Sequence, residues 1–455
     1  MAHASTARPD ASRGWLRLDS GLLVFVWLLP IHITVMAWLF GGLGLPGPTV
    51  RAIAAWKEGL IALLVAAVTV RAALGRGRRS SVQWLDLAVF GLGLLALLYL
   101  LGARYWFGFE LPVRARLYGL RDAVYFSLLY FVGRATPDIV RDRRVLRALF
   151  AVGVVGSGVA VVERLFVTPQ MLVVLGAAEY FQDFLGAAQF TAGNPYGLPT
   201  NYWVMLGGHL VRRAGSTYLS SQGFAIPFLV ILPAATVWML ARSRGVLARL
   251  AYALLWVGLF LTITRMTIVA CLLQSLVIAT VRRRWGAITG AAAALTAAAA
   301  VALVAVPGLA TYVWETITWQ SASSLSHSRD WLEGIGNAIR YPLGAGLGVA
   351  DQTAIRFGVP PLAGENLYLK YAVELGVLGL GLLLAILAGA VLTGVRGVRG
   401  WKDERAEYGL ALAAIALGIL ANGMTTAVFN SMPLTYVFFW LLGSMASATR
   451  AEEPG

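Results

Sequence analysis

Arg116, Arg121, Arg213, Arg265 and Arg329 each stand at the edge of an apolar run or in a loop beside one. A charge at such a place is costly and marks a functional candidate. Guanidinium groups stay ionised and bind phosphate oxygens two at a time, so several of them converging suit a diphosphate. In a membrane that ligand would be a polyprenyl-diphosphate lipid. If the diphosphate leaves, fixed positive charge stabilises the charge that builds up on it, without a metal. Glu365 is the matching base, able to take a proton from an attacking sugar hydroxyl. Lys57 belongs to the same set, inside an apolar run and next to Glu58. His327 is an alternative base within the Ser-rich run SLSHSRDW (Ser324–Trp331).

Each residue also has a structural reading. Arg114 and Arg116 suit juxtamembrane anchors, Arg121 and Asp122 can neutralise each other, and Lys57–Glu58 can be a buried pair. Arg329 and Glu333 stand at i, i+4, the spacing of a surface pair on a helix. Glu365 suits a helix N-terminus, where the helix dipole favours a carboxylate. Arg265, in LTITRMTIVA, has no acidic neighbour in sequence, which leaves loop carbonyls as its structural alternative. Tyr180, Phe181, Tyr196, Tyr202, Trp203, Trp314, Trp319 and Trp331 could stack on sugar rings, or mark a membrane interface.

The elements that must position these residues are membrane helices. The chain is 58% hydrophobic and 13% charged, where a soluble domain carries about a quarter charged residues. Its apolar runs of roughly 17–25 residues have the length that crosses a bilayer as a helix, without the alternation of a β-barrel. The expected fold class is all-α: a polytopic helical membrane protein, one integral membrane domain over residues 1–455. Spans are expected near 20–40, 52–70, 85–102, 117–133, 148–163, 217–240, 250–264, 266–281, 286–306, 366–391, 409–424 and 434–448, about twelve in all.

The net charge of +15 is not read as nucleic-acid binding, because the positive residues cluster in alternate short loops. The clusters are Arg76–Arg79, Asp142–Arg144, Arg242 with Arg244 and Arg249, Arg282–Arg284, and Arg396 to Arg405. That is the bias of cytoplasmic loops. Arg8, Arg13, Arg17 and Arg450 put both termini on the same side, and the long loops 166–216 and 307–364 fall outside. The chain is polar up to Asp19, so no cleavable signal peptide is expected. Cys271 lies in an apolar run and forms no intrachain disulfide. His3, His32, His209 and His327 show no metal-ligand spacing, so neither metal nor cofactor is expected.

Three stretches resemble the O-antigen ligase and O-antigen polymerase superfamily, membrane glycosyltransferases of the GT-C class. RAGSTYLSSQGFA (Arg213–Ala225) looks like the family's arginine-led stretch that ends the first large external loop. LTITRMTIVA places Arg265 where the family has an arginine after a Thr/Ser pair. SRDWLEGIGNAIRYPLGAGLG (Ser328–Gly348), followed by ENLYLKYAVELGVLG, looks like the carboxy-terminal signature. In ligases that signature reads His-Asn, nine residues, Gly, two residues, Gly. Here Asn366, Gly376 and Gly379 keep the spacing, and Glu365 takes the place of the histidine. The resemblance covers 213–379, and the span count agrees over the whole chain.

The resemblance implies a bacterial inner-membrane enzyme with its active site on the external face. The donor would be an undecaprenyl-diphosphate-linked glycan, and the acceptor a glycan or lipid A core. Arg213 and Arg265 would hold the diphosphate, Arg329 would assist, and Glu365 would be the base in a transfer that inverts the anomeric carbon. Arg116, Arg121, Lys57, Asn366 and His327 complete the expected substrate-binding set. Glutamate in place of histidine favours a polymerase, or another polysaccharide-joining enzyme, over a ligase. Two rivals remain. A lipid-linked glycan flippase or transporter shares the span count and buried charges, but predicts charges along a path through the whole bilayer. A peptidoglycan polymerase of the shape, elongation and division type shares the chemistry.

Overall fold

A computed structural model describes residues 18–75, 81–106, 111–187, 190–191, 193–206, 208–241, 245–306 and 308–449. Arg8, Arg13, Arg17, Arg76–Arg79, Arg242, Arg244 and Arg450, which carried part of the charge bias, lie outside the described residues.

Apolar runs become helices because a segment without water must satisfy its backbone N–H and C=O groups internally. Among the described residues six helices are long and apolar enough to cross a membrane: Ser20–Gly42, Gly47–Ala73, Trp84–Gly102, Arg144–Phe166, Ser221–Ala241 and Leu367–Gly400. Val246–Leu261, Arg265–Val281 and Met432–Ala448 are shorter apolar helices. Trp285–Ala305 and Glu404–Asn422 are helical where spans were expected.

Two features depart from the sequence reading. The stretch 117–133 is not one helix: Val113–Ala123 ends, a 3₁₀ turn covers Tyr125–Ser127, and Leu128–Ala135 starts afresh. The first piece carries Arg114, Arg116, Arg121 and Asp122, and seating four charges in lipid costs more than breaking the helix. The first long loop also holds an antiparallel hairpin, Trp203–Leu206 against His209–Arg212, with Trp203 opposite Arg212.

Described loops make contacts at both ends of the helix Arg144–Phe166. At one end Arg143 pairs with Glu407 at 2.5 Å and Glu404 at 3.2 Å, and Arg144 with Asp19 at 3.0 Å. Arg134 donates to Ser81 O there at 3.1 Å. The Arg144–Phe166 helix carries the chain to the other end, where the two long loops meet through Arg356, whose Nη2 donates to Phe184 O at 3.3 Å.

The second long loop is clasped to the membrane helix that follows it. Leu367–Gly400 bends at Gly376, whose backbone lies at φ 71° and ψ −172°, a region that is essentially glycine's alone. The loop fills the break. Val377 N donates to Pro342 O at 2.9 Å, Ala345 N to Val373 O at 2.6 Å, and Gly346 N to Glu374 O at 3.2 Å. A Cβ on Gly376 would stand 2.5 Å from the Leu343 carbonyl carbon. Gly376→Ala is therefore expected to destabilise the protein by at least about 1–3 kcal/mol from backbone strain alone. The measurement is the thermal unfolding midpoint in detergent; an unchanged midpoint would show that the kink does not need glycine.

Candidate functional site

Asn366 starts the kinked helix as its cap. Its Oδ1 accepts from Tyr368 N at 2.9 Å and Leu369 N at 3.0 Å, and its Nδ2 donates to Met424 O at 2.7 Å. The cap satisfies helix-end N–H groups that have no intrahelical partner. It also commits Asn366 to the fold and leaves the preceding residue, Glu365, facing a cavity. Gln222, from the arginine-led stretch, donates through Nε2 to Glu365 Oε2 at 3.1 Å.

Two cavities of about 250 and 350 Å³ share Gln222, Gln352, Glu365, Asn430 and Met432 in their walls. The smaller is otherwise mostly apolar, with Leu29, Ile33, Ile226 and Pro433. The larger adds Tyr118, Arg121, Asp122, Asn201 and Arg356. Glu365 thus stands between an apolar chamber and a polar, aromatic one. Burial raises its pKa above the ordinary glutamate value; Asp351 and Asp330 add to the rise, and the Gln222 hydrogen bond and Arg213 oppose it. Asp351, at φ 58°, lines the smaller cavity with Glu365. Its carboxylate is held by Asn430 Nδ2 and by Lys370 Nζ at 3.7 Å, and Lys370 donates to Asn430 Oδ1 at 2.8 Å.

Arg213 and Arg265 meet beside the tip that joins Val246–Leu261 to Arg265–Val281. Arg213 donates through Nε to Thr262 O at 2.6 Å and through Nη2 to Thr264 Oγ1 at 2.7 Å. The turn after it is pinned by Glu163, whose Oε2 accepts from Gly215 N at 3.1 Å and Ser216 N at 2.6 Å. Arg265 Nη1 donates to Thr316 Oγ1 at 2.6 Å, and its guanidinium lies 5.4 Å from the Tyr312 ring centre. Burial lowers the Arg213 pKa to about 10, with lesser effects from Tyr312, Arg265 and Glu365. Arg213 therefore keeps its charge at neutral pH and acts electrostatically on Glu365, although neither arginine lines either cavity.

The other expected residues divide. Arg121 lines the larger cavity, pairs with Asp122 at 2.8 Å and lies 4.7 Å from the Tyr118 ring centre. Arg356 lies 4.8 Å from the same ring. His327 is half-buried on the helix Ala322–Arg340; burial lowers its pKa, Asp330 opposes that, and Arg265 adds to it. Lys57 is buried outside both cavities, bonded to Ala54 O at 2.6 Å, with Glu58 at 3.4 Å and His32 Nε2 at 3.3 Å. Arg116 Nη1 donates to Leu100 O at 2.9 Å, which is an anchoring contact. Arg329 is exposed and lines neither cavity.

The sequence reading did not single out Gln222, Asp351, Asn430, Arg356 or Lys370. Lys370 and Glu374 carried a signal, since both are charged residues inside an expected span. Gln222 and Asn430 carried none, because uncharged amides occur everywhere.

Glu365 should hold its proton to a higher pH than an ordinary glutamate. Asp351→Asn should shift its protonation midpoint down by removing a like charge, and Arg213→Gln should shift it up by removing an opposite one. The measurement is carbodiimide labelling, which needs the protonated carboxyl, mapped to Glu365 by mass spectrometry across pH; midpoints that coincide in all three proteins would sink this electrostatic picture. The chain matches no protein-family model and no curated protein.

Proposed function

We propose that the chain is a membrane glycosyltransferase that moves an oligosaccharide from undecaprenyl diphosphate to an acceptor glycan. The observation that carries this reading is the position of Glu365, in the wall shared by two cavities, held by Gln222 and within the electrostatic influence of Arg213. The acceptor hydroxyl attacks the anomeric carbon of the donor and the bond from that carbon to the diphosphate oxygen breaks. Glu365 takes the hydroxyl proton, and the configuration inverts. The two arginines offset the charge left on the diphosphate, as pre-positioned charge does in other transfer reactions. The larger chamber, with aromatic rings, amides and Arg121, suits sugar. The apolar chamber suits the lipid end of the donor.

The twelve-span topology, with both termini inside and both long loops outside, belongs to the same reading. It is supported by the contacts of described loops at the two ends of the helix Arg144–Phe166, with both long loops at one of them. Glutamate in place of the ligase histidine favours a polymerase, for which the acceptor is itself a lipid-linked glycan.

The test is transfer by the purified protein in vesicles, from polyprenyl-diphosphate oligosaccharide, with EDTA present. A ladder from donor alone supports the polymerase, and product only with a lipid A core acceptor supports the ligase. Movement of the headgroup across the vesicle without any product would replace the enzyme by a flippase. Arg265→Ala should abolish transfer while leaving insertion and folding intact. Glu365→Gln should slow turnover by about 10²–10⁴, the usual contribution of a general base, and Glu365→His should retain activity. Full activity of either the alanine or the glutamine variant would overturn these roles.

A further inference from the structure

The helix Ala322–Arg340 has one face for the protein and another that nothing among the described residues covers. On the inner face Asn337 Nδ2 donates to Leu362 O at 2.8 Å, and Asp330 packs against Gly364, next to Glu365. On the outer face Leu325, Leu332, Ile335 and Ile339 are 50, 72, 48 and 75% exposed. Their spacing puts them in one stripe of a 3.6-residue helix. Ser328, the polar residue within the stripe, donates its hydroxyl to Ser324 O at 3.0 Å. The preceding helix, Leu309–Ile317, and the turn after it add exposed Trp314, Ile317 and Trp319. Single exposed apolar residues are ordinary, but a contiguous patch implies a partner.

Connectivity and charge identify that partner. The stripe runs on through exposed Leu343 to Val377 and Leu378, exposed residues of the membrane helix Leu367–Gly400. Val377 is joined to this segment by its hydrogen bond to Pro342 O. The patch is thus continuous with the lipid-facing surface of a span. Arg329 and Arg340 are exposed along one flank of the stripe, where long cationic side chains reach lipid phosphates while their stems cover apolar surface. Tryptophans gather at the same depth in membrane proteins.

We propose that the helices Leu309–Ile317 and Ala322–Arg340 lie in the headgroup layer of the bilayer, with the leucine–isoleucine stripe toward the acyl chains and Arg329 and Arg340 on lipid phosphates. Arg329 is then a membrane anchor rather than a ligand of the donor diphosphate. Because the opposite face of the same helix holds the segment Leu362–Glu365, the membrane surface fixes the height at which Glu365 meets a lipid-linked substrate.

The test uses the full chain in vesicles of phosphatidylcholine with phosphatidylglycerol. Cys271 is buried, so the unmodified protein supplies the unlabelled blank. Leu332→Cys, Ile339→Cys and Glu333→Cys are each spin-labelled, and collisions with oxygen are compared with collisions with a water-soluble nickel chelate. Labels at 332 and 339 should favour oxygen, and the label at 333 should favour the chelate. Adding Arg329→Gln and Arg340→Gln should move the 332 label toward the chelate. Chelate-favouring labels at 332 and 339 would overturn the proposal. So would exclusion of both reagents with spin–spin broadening that disappears on dilution with unlabelled protein, since a second copy would then cover the face. No readout depends on transfer, so this inference and the enzymatic reading can fail separately.

Discussion

A membrane helix that breaks must find new partners for the backbone groups it releases, because lipid supplies none. In this chain the break is at Gly376, and the partners come from Pro342–Gly346 within the second long loop. Pro342 O takes Val377 N, and the carbonyls of Val373 and Glu374 take Ala345 N and Gly346 N. Much of the site depends on this exchange. It fastens a long polar loop onto an apolar bundle. It also places Asp351 over Lys370 and leaves Glu365 just ahead of the helix cap, facing the cavities.

Charge in the bundle is handled by pairing before it is available for chemistry. Lys370 is matched by Asp351 and Asn430, Arg121 by Asp122, and Arg143 by two glutamates at the opposite end. Removing one member of a buried pair leaves the other uncompensated, which is the expensive outcome. Arg213 and Arg265 are matched differently. Their donors go to a carbonyl and to hydroxyls rather than to carboxylates. That is the form of charge that can act on an anionic group without first breaking an ion pair. The positions are pre-set by the folded backbone, and pre-set charge acts without reorganisation.

Much of this arrangement was legible in the chain. Apolar runs of spanning length gave the helices. The pair of short apolar runs around LTITRM gave the tip with Arg265 at the start of its second helix. The arginine-led stretch and the Asn366–Gly376–Gly379 spacing marked the segments that meet at Glu365. The reading failed where two physical effects compete in one stretch. Residues 117–133 have enough apolar character for a span, but Arg121 and Asp122 in their first half, with Arg114 and Arg116 just before, end the helix early. Arg116 and Lys57 looked like site residues because charge near lipid is costly, and the fold relieves that cost locally through Leu100 O, Ala54 O and Glu58.

The sequence by itself determined the membrane class, most of the helices and the identity of the charged residues that lipid cannot ignore, because each follows from local hydropathy and local charge. Only the tertiary structure decided which of those charges share a chamber. Gln222 reaches Glu365 across 143 positions and Lys370 reaches Asn430 across 60, and no periodicity in a sequence encodes such distances. The turning of Arg329 away from the cavities was decided in the same way. Whether it faces substrate or lipid depends on which side of its helix packs on Leu362–Glu365, and that is a property of packing rather than of the residue.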